Sequence, residues 1–474
     1  MNLKYNDTIC APATSIGAGA VSMIRVSGNE SLRIADSIIR CRRGCVSDCA
    51  GYCMRYGTIF REDGSVLDDV ITAVFRAPNS YTGEDSVEIS CHASAFIVSE
   101  ILALLVKSGA RMAGPGEFTR RAFVNGKMDL AQAEAVADVI TASSEAAHRV
   151  AVNQLRGGYS SELKTLRDKL LEAASMMELE LDFSEEEVEF ADRKELRSLL
   201  ELLRSQVSHL ASSFRAGNAL KNGVPVAIVG TANAGKSTLL NALLGEDRAI
   251  VSDIAGTTRD TIEETVTLDG ILFRFIDTAG LRDTSDVVER MGIDRSYEAI
   301  KKADVVIGVV DGTLPPSVVS ANAQEIKSLC AEGQTLILVS NKSDLEGNAV
   351  CGVYGSSAEY LRVSVADGCQ NGGILRLSAK TGEGLDALRA TIVESQAGRF
   401  SSGETLVTNL RHYEAFVRSA EDLRACLHGL DSGLSTELLA EELRAAISEL
   451  GSVTGEITTP DVLQNIFSKF CIGK

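Results

Sequence analysis

The sequence predicts a multidomain α/β protein: an α+β domain, then a helical domain that is discontinuous in sequence, with an α/β module inserted into it. Three observations predict this. A glycine-bearing loop pattern, Gly230 to Ser237, stands between a strand-like run and a helix-like run. Two long stretches, 116–224 and 317–459, hold none of the seven prolines, and both contain leucine-rich segments at helical spacing. Residues 1 to about 115 instead carry short β-branched runs. A length of 474 residues is enough for about three domains.

In order, Val21–Val26, Val70–Phe75 and Val87–Cys91 read as strands and 95–107 as a helix, which makes the first domain α+β. Helices are expected over 130–140, 162–181 and 194–216, then over 404–428 and 435–451. Between these two helical sets lie apolar runs at 226–229, 273–276, 336–339 and 374–377, each expected to be a strand. The division drawn from this is 1–121, then 122–221 with 398–474, with 222–397 inserted. Residues 346–373, glycine-rich and irregular, read as a surface insertion.

Composition excludes several classes. Hydrophobic residues make up 45%, yet no apolar run approaches twenty residues, so a membrane-spanning helix is not expected. Met1–Thr8 reads as neither a signal nor a transit peptide, and the eleven cysteines are then expected to be reduced thiols of a cytoplasmic protein. Cys41, Cys45, Cys49 and Cys53 recur every fourth residue, an atypical spacing for zinc, and read as a cysteine-rich loop or helix face. The net charge of −18 opposes tight binding of nucleic acid, so an RNA substrate would need a local basic patch or a more basic partner.

Gly230-Thr231-Ala232-Asn233-Ala234-Gly235-Lys236-Ser237 has the form G-x-x-x-x-G-K-[ST]. Its glycines let backbone N–H groups close around phosphates at a helix N-terminus. Lys236 suits the β- and γ-phosphates and Ser237 a Mg²⁺ ion. Asn341-Lys342-Ser343-Asp344 follows another strand-like run, and the Asp344 carboxylate can accept two hydrogen bonds from the N1–H and N2 amine of guanine, a donor pair that adenine does not present. Ser378-Ala379-Lys380 would close the other side of the base. Asp277-Thr278-Ala279-Gly280 supplies a carboxylate for the Mg²⁺ shell and a Gly280 N–H for the γ-phosphate. Four such motifs in this order, each at a strand end, define a Ras-like phosphate-loop GTPase module. Leu281 stands where a water-orienting glutamine would sit. Glu289 could position water instead, and Asn233 could bind a monovalent cation. A solvated carboxylate and a turn residue are the competing readings of those two positions.

Further strings carry a resemblance that runs nearly end to end. They are Pro115-Gly116-Glu117-Phe118-Thr119-Arg120-Arg121-Ala122-Phe123-Val124-Asn125-Gly126-Lys127 with its continuation to Ala135, Asp253-Ile254-Ala255-Gly256-Thr257-Thr258-Arg259-Asp260, and Phe470-Cys471-Ile472-Gly473-Lys474. With these the chain resembles the tRNA-modifying GTPase family called MnmE or TrmE. The resemblance implies an N-terminal folate-binding domain that dimerises, a discontinuous helical domain and an inserted GTPase. It implies a homodimer that forms a heterotetramer with the flavoprotein MnmG (GidA), which holds FAD. The pair would modify carbon 5 of the wobble uridine of certain tRNAs, with the bridging carbon from a tetrahydrofolate derivative, 5,10-methylene- or 5-formyl-tetrahydrofolate. It further implies nucleotide contacts from Asn233 through Thr238, Ser252 through Thr258, Asp277 through Gly280, Asn341, Lys342, Asp344 and Ser378 through Lys380. Mg²⁺ would be held by Ser237 and Thr258, and K⁺ by Asn233, Ser252, Ile254 and Thr257, with Glu289 orienting water. K⁺ could then occupy the place of an arginine's charge. Arg25, Glu88, Lys127 and Lys474 match the folate pocket, and Cys471 is a candidate for the modification chemistry. His92-Ala93-Ser94 departs from the family's His-Gly-Gly-like stretch.

Two other readings compete. A GTP-switched RNA-binding or ribosome-assembly factor would share the nucleotide motifs but lack the first 130 residues and the Cys-Ile-Gly-Lys terminus. A membrane-signalling GTPase would need a lipidation box, and a terminal lysine does not fit one. The choice of tRNAs, and of glycine or ammonium as the incorporated amine, is not legible in the chain.

Overall fold

The computed structural model describes residues 6–15, 19–182, 193–245, 264–276, 298–345, 363–364, 374–397, 405–468, 470 and 472–473. In chain order the N-terminal part is β1 (Ile9–Pro12), β2 (Val21–Ser27), α1 (Ser31–Ile38), β3 (Ile39–Cys41), β4 (Cys53–Phe60), β5 (Val66–Phe75), β6 (Ser86–His92), α2 (Ala95–Lys107), β7 (Arg111–Met112) and α3 (Glu117–Val124). Five helices follow: α4 (Leu130–Thr141), α5 (Glu145–Leu155), α6 (Gly158–Asp182), α7 (Arg193–Ser212) and α8 (Phe214–Asn222). Then come β8 (Val224–Gly230), α9 (Lys236–Leu244), β9 (Glu264–Leu268), β10 (Ile271–Phe275), β11 (Val305–Asp311), α10 (Pro316–Leu329), β12 (Thr335–Asn341), β13 (Val363–Ser364), β14 (Leu375–Arg376) and α11 (Leu385–Ala397). The chain closes with α12 (Leu410–Asp431), α13 (Thr436–Thr454) and α14 (Pro460–Ser468).

Two compact units result. One comprises Met1–Ile140, Val152–Leu200 and Glu421–Lys474, the other Thr141–Ala151 and Glu201–Ala420. In the first, a seven-stranded sheet runs β3-β4-β5-β6-β2-β1-β7 and is antiparallel except for the β1–β7 pair. Strand alternation sends Ile24, Val26, Ile59, Val74, Val87 and Ile89 to one face, where they pack with Ile34, Val98, Ile101 and Leu105 of α1 and α2. The other face leaves Met54, Tyr56 and Ile71 exposed. Arg121 of α3 is fully buried there, yet its guanidinium donates to Asp7, Glu84 and Glu117. Such a charge is tolerated in the interior only because carboxylates and a carbonyl surround it. Along α6, the buried Tyr159, Leu163, Leu166, Leu170, Ala173 and Met177 form a stripe at spacings of three and four that packs on α13. Phe467 and Phe470 join Leu463 against Leu130 and Ala133.

The second unit holds a sheet of order β13-β12-β11-β8-β10-β9, with β14 beside β12. Strands β8, β10, β11, β12 and β14 are parallel, whereas β9 and β13 run antiparallel to their neighbours. Both faces of β8 are buried: Val226 and Ile228 meet α9 and α11, while Ala227 and Val229 meet α10. Between β9 and β10, Asp269 (φ 45°) and Gly270 (φ 76°) form a tight hairpin turn that needs left-handed backbone at both positions. The Gly270 carbonyl accepts from Ala146 N of α5 at 3.2 Å.

The helix expected over 194–216 divides at Ser213 into α7 and α8. The division lets α8 serve as a separate clamp. Its Phe214 ring stacks on Tyr413 at 4.7 Å, Arg215 donates to Asp304 at 2.8 Å, and Ser213 Oγ accepts from Val407 N at 3.1 Å. The helix expected over 404–428 begins at Leu410 instead, because 405–409 run extended past α8. The Cys49 and Cys53 sulfurs are in contact, while Cys41 and Cys45 are free. Among the described residues no cluster of His, Cys, Asp or Glu is arranged for a metal, and no helix is long and apolar enough to cross a membrane. The surface insertion expected over 346–373 lies almost wholly outside the described residues, which include only β13 from it.

Gly217 tests the clamp. It lies inside α8, where helix propensity alone favours alanine by about 1 kcal/mol. A Cβ at this position would collide with the backbone carbonyl of Val407. We expect Gly217→Ala to destabilise the protein by roughly 1–3 kcal/mol despite the propensity gain. Thermal unfolding followed by circular dichroism measures it, and a raised midpoint would show that the contact is not a constraint.

Candidate functional site

The nucleotide cradle is built at the carboxyl ends of the parallel strands, where open α/β sheets place ligands. Strand β8 ends at Gly230 (φ 152°), packed so closely on Val309 O that a side chain would collide with it. The loop then places Asn233 in left-handed backbone (φ 58°) and exposed, and Gly235 (φ 93°) caps α9. The unpaired N–H groups of the first turn of α9 provide an anion site. Lys236 is half-buried and donates to Gly230 O (2.9 Å) and Thr231 O (2.8 Å). Burial lowers its pKa, and among the described residues no carboxylate pairs with it. A desolvated ammonium held only by carbonyls is poised for a phosphate. Ser237 follows it in the first turn, partly exposed.

Asn341, buried at the end of β12, joins the cradle to the base side. Its Nδ2 donates to Ala234 O and its Oδ1 accepts from Ala379 N, both at 2.9 Å. Gly235 is pressed against the same Nδ2, which explains why that position holds no side chain. Asp344 is exposed and accepts from Ser378 Oγ at 2.6 Å. That hydrogen bond holds its carboxyl below the usual range, so it is ionised and keeps acceptor capacity for a base. Glu383 braces both loops: its Oε2 accepts from Ser343 Oγ (3.0 Å) and its carbonyl from Ser378 N (2.9 Å). Lys380 is exposed beside them. Thus Asn233, Ala234, Gly235, Lys236, Ser237, Asn341, Lys342, Asp344, Ser378 and Ala379 converge at one end of the sheet. Of the other expected nucleotide, Mg²⁺ and K⁺ residues, Thr238 is exposed in the first turn of α9 and Lys380 is exposed, while 252–258 and 277–280 lie outside the described residues, as does Glu289.

The second expected site lies in the first unit. Arg25 and Glu88 are register partners on β2 and β6, and they pair with each other at 2.8–2.9 Å. The Arg25 guanidinium also lies 5.1 Å from the Tyr81 ring centroid and 5.6 Å from that of Phe118. Arg25 is thus charge-paired in place. Both of its contacts use Glu88 Oε1, so among the described residues Oε2 keeps its acceptor capacity. Lys127 is exposed and donates to Pro78 O at 3.0 Å. His92, the last residue of β6, pairs through Nδ1 with Asp68 at 2.7 Å.

The terminus is docked rather than trailing in solvent. Phe470 is buried, Ile472 bridges Pro115, and Gly473 (φ 97°) is pressed on Pro12 O. Pro12 adjoins Ala11, the register partner of Arg25. The tail therefore reaches the Arg25–Glu88 neighbourhood. Cys471 and Lys474 themselves lie outside the described residues. Sequence reasoning missed Glu383, Asp311, Tyr81 and Phe118. Only Asp311, an acidic residue ending the apolar run Val305–Val310, had a visible signal.

Fold and cradle together define a phosphate-loop GTPase module carried by a larger chain. Residues 8–127 match the family described as GTP-binding protein TrmE N-terminus, and residues 130–471 match the MnmE helical domain. The chain is 47% identical over 472 residues to the tRNA modification GTPase MnmE of Bacteroides fragilis (strain YCH46), covering 99% of each. It is 47% identical over 478 residues to that of Bacteroides thetaiotaomicron, again covering 99% of each. To that of Porphyromonas gingivalis it is 47% identical over 481 residues, covering 99% of this chain and 98% of the relative. The chain belongs to the tRNA modification GTPase MnmE family, and it is a GTP hydrolase.

Asn341→Ala removes both ties of the cradle and leaves Ala379 N without its partner. We expect GDP affinity to fall at least about tenfold, since a buried unsatisfied group costs roughly 1–3 kcal/mol. Titration with a fluorescent GDP analogue measures it, and wild-type affinity would show that the cradle stands without Asn341.

Proposed function

We propose that this chain couples GTP hydrolysis to modification of carbon 5 of the wobble uridine of certain tRNAs, in the cytoplasm. A flavoprotein of the MnmG (GidA) type supplies FAD, and a tetrahydrofolate derivative, 5,10-methylene- or 5-formyl-tetrahydrofolate, supplies the carbon. The chain acts as a homodimer and forms a heterotetramer with that partner. The observation that carries the reading is that one chain holds both the Asn341-tied nucleotide cradle and the Arg25–Glu88 pair with the terminus docked beside it.

The residues at hand fit the groups this activity implies. Ser237 offers a partly exposed hydroxyl at the phosphate end of α9 for Mg²⁺, with Thr258 as the second ligand. Asn233, exposed in left-handed backbone, suits K⁺ together with Ser252, Ile254 and Thr257. Mg²⁺ and K⁺ supply positive charge where the phosphates gain negative charge. Glu289 orients the attacking water in place of the glutamine that Leu281 replaces. Glu88, whose Oε2 has no partner among the described residues, suits pterin N–H donors, while Arg25, Lys127 and Lys474 suit the glutamyl carboxylates. Cys471 takes part in the modification chemistry.

Hydrolysis should depend on K⁺. GTP turnover compared in KCl and NaCl at equal ionic strength is expected to be at least about tenfold faster in KCl, the scale of a transition-state charge contact. Equal rates would remove K⁺ from the site.

Modification should depend on the terminus without GTP turnover doing so. Cys471→Ser is expected to abolish the modified nucleoside, read by mass spectrometry of wobble uridines from cells carrying only this variant, with kcat for GTP unchanged. A wild-type nucleoside profile would leave Cys471 a docking residue. An unmodified profile in wild-type cells would overturn the proposed function itself and favour a GTP-switched RNA-binding factor.

A further inference from the structure

Asp311 closes β11 and is the register partner of Asn341 in the parallel β11–β12 pair. Its Oδ2 accepts from Lys342 Nζ at 2.6 Å. Its Oδ1 accepts from Thr313 N at 3.0 Å and from Thr313 Oγ1 at 2.6 Å. Burial would raise the Asp311 pKa, but the Lys342 and Thr313 hydrogen bonds more than offset this, so the group is ionised. The two charged side chains are 15% and 29% exposed, which shields the pair from much of the solvent screening that weakens surface pairs. A backbone bond, Gly312 N to Asn341 O at 3.0 Å, lies alongside. Lys342 itself occupies left-handed backbone (φ 68°), a region that side chains other than asparagine and aspartate seldom adopt. Something must hold it there, and among the described residues the Asp311 carboxylate is the charged group that does.

We infer that Asp311 is a positioning residue for guanine-nucleotide binding: by holding Lys342 it keeps the Asn341–Asp344 loop in its binding shape before the ligand arrives. The inference rests on reading that loop as the base site. Asp311 is placed at the strand end next to the cradle, with Thr313 fixing the carboxylate so that one oxygen faces Lys342. If the pair were lost, the loop would have to be ordered at the moment of binding, and affinity would carry that cost. The same loop holds the base in the ground state and in the transition state, so the loss falls on KM and Kd and leaves kcat alone.

The test is a set of variants of the full chain, assayed in KCl with Mg²⁺. Kd is read by titration with a fluorescent GDP analogue, and kcat at saturating GTP. Asp311→Asn keeps the shape and removes the charge, and we expect a Kd about tenfold weaker with kcat within about twofold of wild type. Asp311→Glu keeps the charge and should recover part of the affinity. Asp311→Asn combined with Lys342→Met should bind no more weakly than Lys342→Met alone, because the two residues act as one unit. Wild-type affinity in Asp311→Asn, or losses that add in the double variant, would overturn the inference. Should Asp311→Asn fail to fold by circular dichroism, Thr313→Val carries the test: weaker GDP binding supports the inference and unchanged binding overturns it. Asp344→Asn runs beside these as the check on the base site. If it gains affinity for xanthosine triphosphate while Asp311→Asn binds like wild type, only this inference fails. If it gains none, the reading of the loop as the base site fails.

Discussion

The nucleotide cradle depends on one buried amide. Asn341 spends both ends of its side chain on backbone, one on Ala234 in the phosphate loop and one on Ala379 in the last strand-end loop. These partners are 107 and 38 residues away in sequence. No local propensity brings them together; only the parallel register of β8, β11 and β12 does. Once the register is set, the amide carries a donor and an acceptor on one planar group and satisfies a carbonyl and an N–H at once. Gly235 must then lack a side chain because Nδ2 fills its space, and Asn233 must turn left-handed so that the loop closes over α9. The glycines of the motif thus follow from the tie as much as from the ligand.

The first unit is organised by charge in a comparable way. Arg121 cannot be buried without partners, and Asp7, Glu84 and Glu117 come from three separate segments to supply them. Burial alone would push Glu117 up, but hydrogen bonds from Arg111, the Gly114 N–H and Arg121 reverse this and hold it below its ordinary value. A carboxylate lowered in the folded state contributes stability at neutral pH that is lost as the pH falls through its folded pKa. Its network also fixes α3, so that Phe118 can lie against the Arg25 guanidinium. The Arg25–Glu88 pair is therefore set from two directions, by the β2–β6 register beneath it and by the buried arginine beside it.

Much of this was legible in the chain, and the pattern of what was not is physical. The phosphate loop, the 341–344 and 378–380 loops and their strands could be read because each is a local motif at the end of a local apolar run. The strands Val21–Ser27 and Ser86–His92 and the helices Ala95–Lys107 and Thr436–Thr454 could be read from periodicity. The pairing of Arg25 with Glu88 could not, because it depends on register across 63 residues. Nor could the docking of the terminus, where Gly473 meets Pro12 from the opposite end of the chain. The break at Ser213 was hidden because no proline or glycine stands at it, and the clamp on Val407 and Tyr413 marks it only in the structure. Short strands such as β1 and β7 exist by pairing, not by propensity.

The distribution of charge gives the architecture a further logic. Residues 1–121 hold thirteen basic and thirteen acidic side chains, so the whole excess of −18 belongs to the helical and nucleotide-binding parts. A polyanion such as tRNA is repelled by an acidic field and meets no such barrier at a neutral domain. The neutral domain is also the one that holds the Arg25–Glu88 pair and receives the terminus. The acidic parts carry a ligand whose own negative charge is met locally, by the first turn of α9 and by Lys236 among its carbonyls. Those contacts act over a few ångströms, within the Debye length of roughly 8 Å at physiological salt, and do not need a favourable net charge. A large acidic excess is thus compatible with binding a nucleotide and incompatible with wrapping an RNA. An RNA substrate therefore needs a local basic patch or a more basic partner to supply attraction.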